Sequence, residues 1–229
     1  FDERTALLTP EGGAFTYRQL LREVDRIAAF LNHHGFGQGD RLAAVLPGGP
    51  EAALAFLAVA ACCTYAPLNP GSAPAELESL LGALRPRALL AGADPGSPGR
   101  RSAEALGIPI LEVGSLDPAG LLPLRWAGPP PGPGPADRPG WAGPEEIALL
   151  LPTSGTTSAP KLVPFLQRNL AAAAHHGRTA LALGPEDRCL CFLPLFHLAG
   201  LGTCVLSTWA SGGSLVALPA FDPAAFYGW

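Results

Sequence analysis

A run of hydroxyl-bearing residues that ends in a lysine is the stretch of this sequence best suited to chemistry. The run consists of Thr153, Ser154, Gly155, Thr156, Thr157 and Ser158, with Lys161 after Ala159 and Pro160. Small side chains let successive backbone N–H groups turn inward around an anion, the hydroxyl groups add donors, and the lysine adds a compact positive charge. These residue types in this order predict a binding loop for phosphate groups.

The lysine at the end of this loop is unusual for the chain. Lys161 is the only lysine among fifteen basic residues. Because arginine occupies every other basic position, the exception indicates a point charge that a planar guanidinium cannot replace. The loop is not a Walker loop, which needs a glycine before the lysine and a serine or threonine after it, where this chain has Pro160 and Leu162. A plain Ser/Thr-rich turn between two strands is the alternative interpretation.

The pattern T-S-G-T-T-S-x-P-K resembles the phosphate loop of the adenylate-forming (AMP-binding) enzymes. That superfamily contains acyl-CoA synthetases, luciferase-like enzymes and the adenylation domains of peptide synthetases. Ser158 and Leu162 depart from the pattern, because the family often has glycine at both positions. Leu162 followed by Val163 and Pro164 resembles the branch with acyl-CoA and oxalate–CoA ligases. The chain as a whole resembles the amino-terminal portion of such an enzyme.

A second segment, Pro194-Leu195-Phe196-His197-x-x-Gly200, resembles the family segment that lines the acyl pocket. The resemblance implies that His197 lies beside the carboxylate to be activated, although a single histidine after an apolar strand is more often structural. Amino-acid-activating relatives have Phe-Asp here, and the aspartate pairs with the ammonium group of the substrate. His197 supplies no fixed negative charge, so a buried ammonium would be unpaired. We therefore expect a carboxylic acid without an α-amino group.

The resemblance implies an ATP-dependent acid–thiol ligase. A carboxylate would attack ATP to give an acyl-adenylate, and the thiol of coenzyme A or of phosphopantetheine on an acyl carrier protein would then take the acyl group. The implied ATP-binding residues are Thr153, Ser154, Gly155, Thr156, Thr157, Ser158 and Lys161. Thr157 is also the candidate Mg²⁺ ligand, and His197 is the candidate catalytic residue. The expected setting is fatty acid metabolism in the cytoplasm.

Several family motifs have no counterpart in this sequence. These are the Tyr-Gly-x-Thr-Glu segment, the ribose-binding aspartate and the mobile carboxyl-terminal domain with its catalytic lysine. The chain also lacks methionine, so we expect a piece of a longer product that needs the missing carboxyl-terminal part of the same enzyme. The isolated chain is then expected to be inactive or nearly so.

Two other functional classes compete with a ligase. A truncated, non-catalytic module that acts as a binding or regulatory partner is the main alternative. A hydrolase is disfavoured, because the sequence has no G-x-S-x-G elbow.

Composition narrows the class of protein and its partners. With 229 residues, 48% hydrophobic and 15% charged, the chain is globular rather than disordered. A net charge of -4 argues against a nucleic-acid partner. The longest apolar stretch, residues 52–65, is too short for a transmembrane segment and predicts a buried helix. Five cysteines without a C-x-x-C pair indicate buried thiols in a reducing compartment.

Alternating strands and helices predict an α/β fold of layered, mainly parallel sheets flanked by helices. The predicted strands are Arg41–Leu46, Tyr65–Leu68, Ala88–Ala91, Ile108–Val113, Ile147–Leu151, Leu162–Phe165, Arg188–Leu193 and Ser214–Leu218. Helices are predicted after Thr16, from Pro50, from Pro74, near Ser102, near Asn169, near Leu198 and from Asp222. In the first helix, the predicted buried face carries Tyr17, Leu20, Leu21, Val24, Ile27, Ala28 and Leu31.

Residues 127–144 predict a break in the chain, because twelve of these eighteen residues are proline or glycine. We expect a first α/β subdomain in residues 1–126, a linker or excursion in 127–144, and a second subdomain with both signature segments in 145–229. The spaced glycines at 35, 37 and 39 follow a helix and precede a strand, the reverse of a dinucleotide-binding motif, and are predicted to form a turn.

Overall fold

The computed structural model describes residues 3–131, 134–153 and 161–229, which form eleven strands, six α-helices and one π-helix. The strands are β1 (Thr5–Leu8), β2 (Ala14–Thr16), β3 (Arg41–Val45), β4 (Thr64–Pro67), β5 (Ala88–Ala91), β6 (Ile110–Val113), β7 (Leu124–Trp126), β8 (Ile147–Pro152), β9 (Leu162–Leu166), β10 (Arg188–Cys191) and β11 (Ser214–Ala217). The helices are α1 (Tyr17–His33), α2 (Pro50–Cys62), α3 (Pro74–Leu84), α4 (Pro98–Ala105), α5 (Gln167–Ala180), the π-helix (Ala199–Leu206) and α6 (Ser207–Ser211).

Seven strands form one sheet in the order β7-β6-β5-β3-β4-β8-β9. The five central strands are parallel, and the two edge strands β7 and β9 are antiparallel to their neighbours. Alternate side chains of these strands enter two separate apolar clusters, one shared with α3 and α4 and the other with α2. Helices therefore cover both faces, and the carboxyl ends of all five central strands open at the same edge.

A second sheet has the strand order β10-β11-β1-β2. Strand β11 is parallel to both β10 and β1, and β2 forms an antiparallel hairpin with β1. Helix α2 contacts this sheet at β11 and the first sheet at β4 and β8. Most of its residues are buried, as predicted for the apolar stretch 52–65. The predicted α/β fold of layered, mainly parallel sheets flanked by helices is confirmed.

The Pro/Gly-rich segment contains no helix or strand among its described residues. Strands from both sides of it, β3 to β7 and β8 to β9, lie in the same seven-stranded sheet. The division into subdomains at residues 127–144 stays a prediction.

The first helix begins and ends where its sequence predicts. The Thr16 side chain accepts a hydrogen bond from the backbone of Gln19, whose own side chain accepts one from the backbone of Thr16. This reciprocal pair satisfies two N–H groups that a helix start leaves free. At the other end, Gly35 adopts a φ of +82°, which suits glycine.

One position on the predicted buried face of α1 is wrong. Leu21 is 49% exposed, whereas Glu23 is buried. The Glu23 carboxylate accepts hydrogen bonds from Arg26 and from the backbone N–H of Leu122. These bonds offset the cost of removing the Glu23 charge from water. Helical spacing alone does not reveal such partners, so it does not predict that Glu23 is buried.

The remaining differences concern short elements. Strands β1, β2 and β7 were not predicted, and each has only three or four residues. The helix predicted from Asp222 is wrong, because residues 223–228 form turns. The Asp222 carboxylate accepts hydrogen bonds from the N–H groups of Ala224 and Ala225, a local alternative to helical bonding.

Candidate nucleotide and acyl site

Strands β8 and β9 form the stem on which the hydroxyl-rich loop is mounted. Thr153 directly follows β8, whose central residues are buried. The backbone N–H of Thr153 donates a 2.8 Å hydrogen bond to the carbonyl oxygen of Lys161. Below it, Pro152 pairs with Leu162 across the hairpin. The two ends of the loop are therefore held side by side, and the side chains of both Thr153 and Lys161 are exposed.

The centre of this loop lies outside the described residues. Five of the predicted phosphate-binding residues fall there, namely Ser154, Gly155, Thr156, Thr157 and Ser158, and Thr157 is also the candidate metal ligand. Their roles stay predictions. Within residues 3–131, 134–153 and 161–229, no group of three or more His, Cys, Asp or Glu side chains is placed to hold a metal ion.

The Pro194–Gly200 segment follows β10 and folds into a tight turn. The N–H of His197 donates to the carbonyl of Pro194 over 3.2 Å, and Leu195 is buried as an anchor. The π-helix that follows approaches closely, since a Cβ on Gly200 would lie 2.5 Å from the Pro194 oxygen. The glycine of this motif is thus required by packing.

His197 itself is exposed and lies two residues before the start of the π-helix. Its carbonyl accepts a hydrogen bond from the N–H of Leu201. Its ring lies 4.5 Å from the ring of Phe196, centroid to centroid, at a tilt of 54°. The imidazole is accessible to a small molecule and is not packed in the core. Its catalytic role stays a prediction.

A cavity of about 530 Å³ opens where strands of both sheets end. Its walls are Pro47 and Gly48 after β3, Pro70 after β4, Phe192, Leu193, Pro194 and Phe196 after β10, and Leu218, Pro219, Ala220 and Phe221 after β11. Open α/β sheets bind ligands at such carboxyl ends. Its volume lies within the roughly 300–1,000 Å³ of small-molecule sites.

Thr153, at the start of the hydroxyl-rich loop, and this cavity lie at the same edge of the seven-stranded sheet. Strand β8 neighbours β4, and β4 neighbours β3. With roughly 4.8 Å between neighbouring strands, the exits of β8 and β3 are about 10 Å apart. A molecule that reaches from Thr153 to the cavity is therefore about the size of a nucleotide or an activated acid.

The other walls of the cavity carry no sequence motif. A Cβ on Gly48 would lie 2.7 Å from the carbonyl oxygen of Leu218, so the turn after β3 packs directly on the exit of β11. Phe192 and Phe221 contact each other with centroids 5.2 Å apart. The only feature of the sequence that could have indicated these wall residues is their position, because they all follow parallel strands closely.

Three thiols lie close together on β10 and the π-helix. Cys189 and Cys191 on β10 both interact with Cys204 of the π-helix. A hydrogen bond with Cys189 lowers the pKa of Cys204, but the bond with Cys191 and burial outweigh it and raise this pKa to about 11. All five cysteines are free, although Cys189 and Cys204 are only half-buried rather than buried as predicted.

Comparison with known proteins identifies the family. A family model described as "AMP-binding enzyme" matches residues 1–228. The chain belongs to this family. The resemblance drawn from the two signature segments is thereby confirmed. Its structural similarity is to adenylate-forming enzymes.

The chain is similar to two curated CoA ligases. It is 31% identical to the sulfoacetate–CoA ligase of Cupriavidus necator, with 98% of this chain and 44% of the relative covered. It is 33% identical to the oxalate–CoA ligase of Arabidopsis thaliana, with 96% and 43% covered. The chain therefore spans less than half the length of these relatives.

Solved structures give the same picture. The chain superposes on apo MatB from Rhodopseudomonas palustris with a TM-score of 0.79 and 26% identity, covering 99% of this chain and 44% of that one. It superposes on the inhibitor-bound N-terminal domain of FACL13 from Mycobacterium tuberculosis with a TM-score of 0.77 and 26% identity, covering 99% and 56%. Among the described helices, none has the length and apolar character needed to cross a membrane.

Proposed function

We propose that the parent protein of this chain is an ATP-dependent ligase that joins a carboxylic acid to the thiol of coenzyme A or of a carrier-protein phosphopantetheine. Membership of the AMP-binding family and the similarity to CoA ligases support the reaction class. The observation that carries the proposal is the shared location of two segments. Thr153 follows β8 at the same edge of the seven-stranded sheet as Gly48 and Pro70, which follow β3 and β4. Gly48 and Pro70 line one cavity together with Pro194 and Phe196 of the second segment.

In the first step, a carboxylate oxygen attacks the α-phosphorus of ATP. A new P–O bond forms, the bond to the β-phosphate bridge breaks, and pyrophosphate leaves. Because two anions must approach each other, positioning and neutralisation of charge are the main demands on the protein. The ammonium group of Lys161 and the backbone and hydroxyl donors of residues 153–158 would hold the β- and γ-phosphates.

Magnesium is part of the proposal as a partner of ATP. The candidate ligand from this chain is the Thr157 hydroxyl, which lies outside the described residues. Bound there, the ion would neutralise charge on the transferring phosphate.

In the second step, the thiol attacks the carbonyl carbon of the acyl-adenylate, the C–O bond to AMP breaks, and a thioester forms. His197 is the candidate residue beside the acid carboxylate, where its exposed imidazole can donate a hydrogen bond. Because it replaces an aspartate, the acid is one without an α-amino group. The cytoplasm and fatty acid metabolism are the proposed setting.

The test uses the full-length parent, with the 229-residue chain assayed in parallel. Pyrophosphate release is followed with ATP and Mg²⁺ over a panel of fatty, aryl, dicarboxylic and amino acids, for the wild type and for Lys161→Ala. Removing one preorganised charge-stabilising group typically costs about 100-fold or more in rate. Arg22→Ala, which removes an exposed cation on α1, is the control and is expected to retain activity.

Acid-dependent release that falls in Lys161→Ala but not in Arg22→Ala supports the proposal. No release with any acid by a folded parent would favour the non-catalytic binding or regulatory module instead. For the isolated chain, we expect little or no release, because the family's carboxyl-terminal motifs lie outside its sequence.

A further inference from the structure

Thiols flank the Pro194–Gly200 segment on both sides along the chain. Cys191 is the last residue of β10, and Cys204 lies in the π-helix that follows the segment. Because successive side chains of a strand point to opposite faces, Cys189 and Cys191 share one face of β10. The Cys204 thiol forms hydrogen bonds with both of them. The two ends of the stretch that carries His197 therefore meet at one cluster of thiols.

Cys191 and Cys204 differ in exposure and in acidity. Cys204 is half-buried, whereas Cys191 is 1% exposed. A small oxidant can therefore reach the sulfur of Cys204 more readily than that of Cys191. The hydrogen bond from Cys204 lowers the pKa of the Cys191 thiol, although burial opposes this effect. Since thiolates are the nucleophiles in disulfide formation, Cys191 is suited to attack an oxidised Cys204.

A second thiol pair lacks these properties. The sulfurs of Cys62 and Cys63 lie 3.7 Å apart, but both residues are fully buried at the end of α2. The hydrogen bond with Cys62, followed by burial, raises the pKa of Cys63. Buried thiols of this kind are inert. Close approach of two thiols is combined with access for an oxidant at Cys204.

We propose that Cys191 and Cys204 are a modification site, at which hydrogen peroxide forms a reversible disulfide that encloses the Pro194–Gly200 segment. The Cys204 sulfur takes one oxygen from the peroxide, which gives a sulfenic acid and one water. The Cys191 thiolate then attacks this sulfur, the S–O bond breaks, and the S–S bond forms. The departing hydroxide takes up the proton of the Cys191 thiol as a second water. The two thiols thus lose two electrons, and the peroxide is reduced to two waters.

The disulfide would alter the turn that carries His197 in two ways. In the reduced chain, Sγ of Cys191 donates a 3.7 Å hydrogen bond to the carbonyl of Leu193, and a disulfide has no proton to donate. Bonded sulfurs also lie about 2.05 Å apart, closer than hydrogen-bonded thiols, so the π-helix must move toward β10. Gly200 already leaves no space against the Pro194 carbonyl. The turn must therefore shift.

The effect of this shift on activity rests on the proposed function, whereas formation of the disulfide does not. A displacement of about 1 Å in an active site can cost about 100-fold in rate. We expect oxidation to lower kcat/KM for pyrophosphate release by about tenfold, because only one side of the acid site moves.

The first test uses the full-length parent, which is reduced, desalted and treated with hydrogen peroxide. Free thiols are then blocked, and the digested protein is analysed by mass spectrometry for a link between the β10 peptide and the peptide with Cys204. Because Cys189 lies on the same β10 peptide as Cys191, Cys189→Ser is the matched control and should keep the link, whereas Cys191→Ser should lose it. The opposite pattern, no link at all, or a sulfinic acid on Cys204 would overturn the proposal.

The second test measures activity on the same samples. Oxidised wild type should lose about tenfold in kcat/KM and recover it in dithiothreitol, whereas peroxide should leave the rate of Cys204→Ser unchanged. An equal loss in Cys204→Ser, with an unfolding midpoint like the wild type, would contradict control of the turn by this bond. If the reduced parent releases no pyrophosphate with any acid, the ligase proposal fails, and the peptide analysis still decides whether the disulfide forms.

Discussion

Gly200 and Pro194 meet so closely that a Cβ on Gly200 would lie 2.5 Å from the Pro194 carbonyl oxygen. That oxygen also accepts the N–H of His197, so this contact fixes the turn that carries the histidine. Gly200→Ala must push the π-helix away from the turn. We expect it to lower the free energy of unfolding by about 1–3 kcal/mol in urea titrations, as overpacked sites do.

Gly202→Ala is the matched control for this change. A Cβ at Gly202 would lie 3.7 Å from Cδ1 of Leu198, an ordinary contact. It should leave stability within about 1 kcal/mol of the wild type. Equal losses in the two variants would show that the Pro194 contact is not what restricts position 200.

A buried acid on β6 gives a prediction for stability. Glu112 accepts hydrogen bonds from Arg100, which is also buried, and from the exposed Arg125. Glu112→Gln leaves the Arg100 guanidinium without its counter-charge, and breaking buried pairs typically costs about 3–5 kcal/mol. Glu145→Gln, at an exposed pair with Arg168, should cost no more than about 1 kcal/mol.

The same ion pairs predict a pH dependence. The hydrogen bond from Arg100, followed by that from Arg125, holds the pKa of Glu112 below its usual 4.5. Because the folded-state pKa is the lower one, the carboxylate stabilises the fold fully above about pH 4.5, and this contribution is lost as the pH falls through the folded value. The stability gap between wild type and Glu112→Gln should be constant near neutral pH and shrink in acid. A gap that widens in acid would contradict this sign.

Replacing Lys161 by arginine is a sharper test of the loop than replacing it by alanine. If the loop needs a compact point charge, Lys161→Arg should lower kcat/KM for pyrophosphate release by about tenfold or more in the parent, although the net charge is kept. Full activity in Lys161→Arg would show that any cation suffices. The KM for ATP measured alongside separates weaker nucleotide binding from slower chemistry.

The residue at position 197 should decide between acids and amino acids. His197→Asp places a carboxylate where it could pair with an α-ammonium, and we expect the ratio of activity with 3-phenylpropanoate to that with phenylalanine to fall by about tenfold. His197→Asn, which adds no charge, should lower overall activity without moving this ratio. A change of the ratio in both variants would place the discrimination elsewhere.

The sequence predicts the elements whose local signals agree. The first helix is defined by Thr16, by apolar residues at helical spacing and by Gly35. Pro50 and Pro74 are the first residues of α2 and α3, as predicted. Strand β5, predicted as Ala88–Ala91, has those bounds in the structure. Each of these cases combines an apolar period with a capping or breaking residue.

What the sequence does not predict depends on partners far along the chain. Strand β1 is stabilised by pairing with β11, and Glu23 is buried because it bonds the N–H of Leu122. The cavity walls at Gly48 and Phe221 come together only when the two sheets pack. No local pattern encodes such contacts, so motif reading located the loop and the histidine but not the hydrocarbon cavity.

The pairing of β1 with β11 has a consequence for synthesis. The indole N–H of Trp209 donates to the carbonyl of Ala6, a residue 203 positions earlier, over 2.9 Å. At about 5–20 residues per second, a ribosome needs roughly 10 s or more between these two residues. During that delay the apolar hairpin β1–β2 has no β11 to pair with. The nascent chain thus exposes a hydrophobic strand edge, and we expect it to be a binding site for chaperones on the ribosome.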